Sequence, residues 1–318
     1  MAGPRRRTLV IASMSACAFP YAGHTAWAVP ESVLERPNFL LSERVEDASD
    51  EVVKLFDEPG SARVARHRPT SAECGKLDGA LGSLPLRHRE ILRTRLRGIS
   101  FLEGMPNNAL TSVVEVGRVD MFDLTIRAGV LGETISELVT RKERTIFDRG
   151  DSRLELSIDA GGGDAILYVL LHEGAHMVDR SLRMTPEPGS SGSGQPAVSP
   201  LLREAWSSRT EIADPAVRAV LGGLAYRHSG AVVGIRQARM IYETLAHSSF
   251  ASLYGSANWN EDIAELLAWH HLTQVLGQPY EIAIRDGDAT VYAVEPMKNS
   301  RVAARTTYLK VFYANDGA

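Results

Sequence analysis

Cysteine is nearly missing from this chain. Only Cys17 and Cys74 occur among 318 residues, so a disulfide framework is excluded and the fold must stand on its hydrophobic core, as a chain of this length can. Neither sign of charge dominates: 35 Lys and Arg face 39 Asp and Glu, for a formal net charge of −4. Beyond Arg5-Arg6-Arg7 there is no basic stretch to make a footprint for nucleic acid, and nucleic-acid binding is set aside. Long apolar runs are lacking too. The best, Thr8 to Phe19, falls well short of the roughly 20 residues that a membrane-spanning helix needs. No internal repeat is visible. What remains is an ordinary globular composition, 44% hydrophobic and 23% charged, with room for one large domain or two lobes around a cleft.

The first 28 residues are expected to be an export signal: three arginines, a short apolar stretch, a breaker at Pro20 and small residues at Ala26 and Ala28 that fit cleavage after Ala28. Met14-Ser-Ala-Cys17 also resembles a bacterial lipoprotein signal, in which Cys17 would carry the lipid anchor. The protein is therefore expected to be exported, either periplasmic or secreted, or alternatively held at a membrane as a lipoprotein. Either form of processing leaves Cys74 without a partner, as a small residue with no reactive role.

The remainder is expected to be α+β, with an α+β lobe at 29–184, a flexible linker or loop at 185–200 and a mainly helical lobe at 201–318. Residues 29–70 carry little pattern. A short helix at 71–82 is weakened by three glycines, and a better one at 85–96 has Pro85 in its first turn, where a missing N–H costs nothing. Strands follow at 99–102, 112–116 and 121–126, a helix at 132–144, and strands at 145–147 and 154–159. Leu154, Leu156 and Ile158 alternate with Glu155, Ser157 and Asp159, which gives that last strand one buried face. Gly161-Gly-Gly163 turns the chain and Asp164 is placed to cap a helix that is apolar almost all round. Beyond the Pro/Gly/Ser-rich stretch, helices are expected at 201–210, 215–228, 232–247 and 262–276. A hairpin around Asp286-Gly287 and a last helix at 301–313 complete the chain.

The buried helix reads His172-Glu173-Gly174-Ala175-His176. Two histidines one turn apart project from one face and can grip a divalent cation while Glu173 lies beside it. Burying three ionisable groups with neither metal nor partners is costly, which sets this motif apart from a chance match on an ordinary helix. Catalytic zinc takes three protein ligands and keeps a position open for water. The third ligand is not supplied by a continuation of the same segment with Gly and then His or Asp at steps of three, because Asp179 and Leu182 hold those places. A carboxylate on a later helix is the best candidate. In Tyr254-Gly-Ser-Ala-Asn-Trp-Asn-Glu261-Asp-Ile-Ala-Glu265, Glu261 can bind the metal while Glu265, one turn on, accepts a hydrogen bond from a ligand histidine. Asp179 is the rival ligand or a support behind the ligands. The plainer alternatives are that Glu261 and Asp262 favour a helix start through the helix dipole, and that Tyr254 is a packed aromatic. His270 and His271, being adjacent, point apart and cannot easily share a site, while Trp206 and Trp269 are expected in the core.

The paired histidines with a downstream glutamate on a second helix resemble the gluzincin group of zinc metallopeptidases. More narrowly, Tyr254 seven residues before Glu261, with Ala264-Glu265 closing the motif, resembles the catalytic domain of anthrax lethal factor and its relatives. The likeness covers two short segments, and it departs at Asp262-Ile263, where that family favours aromatic residues, and in the longer distance between motifs. It implies a zincin-like fold and a peptide or protein substrate. It also implies Glu173 as general base, Tyr254 as donor to the developing oxyanion, and the strand at 154–159 as the place where an extended substrate pairs. Two alternatives stand beside it: an exported metal-binding scaffold without turnover, and a zinc amidase acting on cell-wall peptides.

Overall fold

The computed structural model describes residues 39–56, 63–116, 119–185, 199–226 and 230–314. The expected export signal, with Cys17, and most of the expected linker lie outside the described residues. Cys74 is half-buried and free.

The molecule is α+β. After a short helix α1 (Asp50–Phe56), strand β1 (Ala65–His67) leads into helix α2 (Ser71–Gly82). Its glycines do not break it, because a capping box of Thr70 and Glu73 satisfies its first N–H groups and Leu77 and Ala80 anchor one face. Helix α3 (Leu86–Arg95) starts just after Pro85. Strands β2 (Leu96–Glu103), β3 (Ala109–Val116) and β4 (Val119–Arg127) follow. They form a four-stranded sheet in the order β1-β2-β4-β3, with β2 and β4 parallel and the other pairs antiparallel. β3 is its terminal strand.

Helix α4 (Ile135–Arg144) is again opened by a capping box, Thr134 with Glu137, and buries Ile135, Leu138, Val139 and Lys142 along one stripe. Strand β5 (Phe147–Asp148) is only two residues long, and β6 (Leu154–Asp159) has the expected bounds and alternation. β6 precedes the long helix α5 (Ala165–Leu182). Asp164 occupies the N-cap place but makes no side-chain cap there. Its carboxylate pairs with Lys76 at 2.8 Å, and the Ala165 N–H is taken by the Glu133 carbonyl at 3.0 Å.

The later helices are shorter than expected, each for a local reason. Residues 201–210 keep a single turn at Pro200–Arg203, after which Trp206 and Ile212 form an isolated bridge and Ser207 bonds back to the Glu211 carbonyl. Helix α6 (Pro215–Leu221) is capped by Asp214 and stops where Gly222-Gly223 begins. Val233–Gly234 leaves the expected helix to become β7, paired in parallel with β5, so helix α7 spans only Ala238–His247. Helix α8 (Trp259–His270) starts three residues earlier than expected, because the Asn258 side chain accepts from the N–H groups of Asn260 and Glu261. It runs on into a π turn at His271–Val275. The hairpin β8 (Glu281–Asp286) and β9 (Ala289–Val294) is present, and helix α9 (Ser300–Thr306) passes into a 3₁₀ segment through Phe312.

β8 pairs with β6, residue for residue from Asp286 against Leu154 to Glu281 against Asp159. Strands from before and after residues 185–200 thus share one sheet, in the order β6-β8-β9. The opposite edge of β6 is sealed by α4. Thr140 Oγ1 accepts from the Ile158 N–H and donates to its carbonyl, Arg144 Nε donates to the Leu156 carbonyl, and the Ala160 N–H donates to Ser136 Oγ. The expectation that β6 pairs an extended substrate is therefore overturned, since both of its edges are already bonded. Hydrophobic side chains of α2 to α9 and of both larger sheets join one continuous core, in which Trp269 stacks on Tyr280 with ring centroids 3.5 Å apart. Among the described residues no helix is long and apolar enough to cross a membrane.

Candidate metal centre

α5 runs through the middle of this core, and its glycine is placed by a neighbour. The His88 ring, from α3, lies against the helix backbone so closely that a Cβ on Gly174 would stand 2.3 Å from its Cδ2. His88 Nε2 donates to the Leu171 carbonyl at 3.0 Å, and burial pulls the imidazole pKa down to about 4, so it stays neutral. α8 packs against α5 on another side and brings the second half of the site to it.

His172, His176 and Glu261, all buried, meet with their ligand atoms within 4.8 Å of one another. His172 Nε2 stands 3.0 Å from Glu261 Oε2 and 3.2 Å from His176 Nε2, and His176 Nε2 stands 3.6 Å from the same carboxylate oxygen. Ligand atoms about 2.0–2.1 Å from a tetrahedral zinc stand about 3.3 Å from each other, so the three atoms already have the spacing a zinc ion requires. The donor set of two imidazole nitrogens and a carboxylate oxygen suits zinc as well. Tautomers agree: His172 Nδ1 lies 2.9 Å from Glu265 Oε1, somewhat off the line of an ideal hydrogen bond. A proton on Nδ1 leaves the Nε2 lone pair facing the other two ligand atoms, where only a cation or a second proton relieves the repulsion. Burial opposes charge on His172, yet Glu261 and Glu265 outweigh it and its pKa is raised. Burial alone would also raise Glu261, but the two histidines hold it well below the ordinary carboxylate value.

Glu265 is fixed by more donors than the sequence suggested. Tyr168 donates to Oε1 at 2.5 Å, while Ser252 and Trp269 donate to Oε2 at 2.6 and 3.0 Å. Against the cost of burial, the Lys142 charge, His172 and the Ser252 hydroxyl lower its pKa to about 2, so it remains an anion beside His172. Asp179 accepts from the Thr185 N–H and hydroxyl, each at 2.8 Å, and from Asn260 at 3.0 Å, and so ties the end of α5 to the residue before Glu261. It is not one of the three residues whose ligand atoms group together. Glu173 is only half-buried, and Thr111 of β3 donates to its Oε2 at 2.6 Å. Tyr254 stacks on His172, with ring centroids 5.5 Å apart and planes at 24°.

Several functional neighbours went unseen in the sequence. Lys142 is buried with its ammonium nitrogen 3.1 Å from the centre of the Tyr254 ring. Burial pulls its pKa below the ordinary lysine value, while the charges of Glu265, Glu261, Glu143 and Glu173 oppose that shift. The adjacent Glu143 accepts from the hydroxyls of Tyr226 at 2.8 Å and Tyr242 at 2.9 Å, and its burial raises its pKa to about 7. A signal for Lys142 did exist: it falls on the apolar stripe Ile135, Leu138, Val139 of α4, where a lysine is out of place. Nothing comparable marked Thr111, an ordinary residue of a strand. His271 bonds the Ser83 carbonyl at 2.6 Å and Tyr313 at 3.0 Å, well apart from this cluster.

No protein-family model, no curated protein and no solved structure matches the chain.

Proposed function

We propose that the protein is an exported zinc metallopeptidase, zincin-like in its active-site architecture, acting on peptide or protein substrates. The observation that carries the proposal is the convergence of His172, His176 and Glu261 from two helices at the mutual spacing of zinc ligands. Zinc held there would polarise the scissile carbonyl and lower the pKa of a water in its open position to about 7.

The remaining roles fall to this chain's own side chains. Glu173 takes a proton from the attacking water and returns it to the leaving amine. Thr111 holds Oε2, which leaves Oε1 as the oxygen free to receive that proton. Glu265 keeps the His172 proton on Nδ1 and the ring in its ligand orientation. Tyr254, whose ring packs beside His172, would donate its phenolic hydrogen to the developing oxyanion. With β6 sealed, the edge that supports an extended substrate is β3, the terminal strand that brings Thr111 to Glu173.

The test is Glu173→Gln beside the wild type, with zinc content and peptide hydrolysis measured on both. Retained zinc with hydrolysis reduced by about 10²–10⁴-fold is expected for loss of a general base. Equal hydrolysis by the two proteins would remove Glu173 from the mechanism.

A further inference from the structure

Lys142 has no place in the mechanism just given, yet it sits at its centre. Lys142 is 7% exposed. Burying an ammonium is costly unless an anion pairs with it, and a lysine near a surface normally extends its charge to water. This one does neither. Among the described residues no carboxylate stands in ion-pair contact with the ammonium, which lies on the ring of Tyr254. The same ring stacks on His172 and packs edge-to-face with Tyr226, their centroids 5.2 Å apart. Lysine, aromatic ring and ligand histidine thus form one packed group, and a cation on an aromatic face is attractive, the more so when water is excluded.

Charge balance points the same way. Glu261, Glu265 and Glu173 bring three negative charges to the site, and a zinc dication offsets two of them. The fields of those three carboxylates, and that of the neighbouring Glu143, all reach Lys142.

We propose that Lys142 is a positioning residue of the metal centre, whose ammonium holds the Tyr254 ring against His172 and supplies the positive charge that completes the neutralisation of the site; this rests on the zinc peptidase proposal above. Lys142 then opposes metal binding slightly, through like charge, and favours turnover, through Tyr254 and through the negative charge that grows as the carbonyl is attacked.

The opposed signs give the test. Lys142→Met, Lys142→Gln and Lys142→Arg are made in the full chain. Zinc affinity is measured by competition with a chelator, kcat and KM on a peptide, and folding by circular dichroism. Both uncharged variants are expected to bind zinc about tenfold more tightly while kcat falls at least about tenfold and KM stays within about twofold. Lys142→Arg, which keeps the charge, is expected to stay close to wild type in both. Folded uncharged variants with unchanged or weaker zinc binding would overturn the assignment, as would a rise in KM with kcat unchanged. Failure of both to fold beside a folded Lys142→Arg would make the lysine a structural residue and overturn it equally. A wild type that binds no zinc sinks the metal centre itself, whereas a wild type that binds zinc but hydrolyses no peptide leaves the affinity comparison decisive for Lys142.

Discussion

Glu143 is a carboxyl that folding holds against its chemistry. It lies in the core beneath two tyrosine hydroxyls, with its pKa raised to about 7 from an ordinary 4.5. The folded chain therefore holds a proton between these two values that the unfolded chain releases. Stability from this group is complete below about pH 4.5, falls as pH rises through about 7, and stays low above it. A shift of this size corresponds to about 3 kcal/mol. Glu143→Gln keeps an acceptor for the tyrosines and cannot ionise, so its stability relative to wild type is expected to climb across that window. Denaturant unfolding from pH 4 to pH 8 checks it, and parallel stability curves for the two proteins would contradict the assignment. Glu265, by contrast, is lowered to about 2. Its stabilising contribution is present above its unfolded value and is lost as pH falls toward 2, so the two carboxyls act in opposite directions. At this scale the candidate site was legible because His172, His176, Glu261 and Glu265 each belong to a pair spaced by one helical turn. Thr111 was not, being an ordinary strand residue, and Lys142 showed only as a lysine on the apolar stripe of α4, which does not reveal what it meets.

Among the elements, α5 depends on a close crossing with α3 that only glycine permits. Helix propensity alone would have Gly174→Ala stabilise the helix by about 1 kcal/mol. The His88 ring, 2.3 Å from the new Cβ, predicts the opposite sign. A loss of about 1–3 kcal/mol is expected, as for overpacking of a tight core, and thermal melts decide it; a stabilised variant would contradict the crossing. Elements were most legible where a local signal agreed with the packing. β6 was read with its bounds, and α2 persisted despite its glycines because Thr70 and Glu73 cap it. The helices after residue 200 were read too long, since apolar periodicity does not reveal that Val233 will pair with Phe147 or that Gly222-Gly223 will end α6. The role foreseen for β6 failed because the side chains that seal its edge come from α4, a relation invisible in the strand itself.

For the molecule as a whole, Asp262 and Arg305 form the tie that holds the last helix to α8. Both are fully buried. Arg305 reaches the carboxylate through both terminal nitrogens, at 2.5 and 3.0 Å, Trp206 donates to it at 2.7 Å, and the guanidinium also donates to the carbonyls of Leu201 and Ser249. Asp262, an acidic residue in the buried part of α8, is accounted for by this anchor. Arg305→Met leaves an uncompensated carboxylate and is expected to cost about 3–5 kcal/mol, read as a lower unfolding midpoint in urea, whereas Asp262→Leu combined with Arg305→Met is expected to recover most of that loss. An unchanged midpoint in the single variant would contradict the tie.

The meeting of α5 and α8 carries the central proposal, that the two helices would hold a catalytic zinc with three protein ligands. X-ray absorption on the metal-loaded wild type, with metal content determined on the same sample, tests it directly. One zinc per chain is expected, bound by two imidazole nitrogens and by oxygen from Glu261 and solvent, with the metal lost in Glu261→Ala. A chain that takes up no zinc, or a closed site of four protein ligands with no solvent, would contradict it.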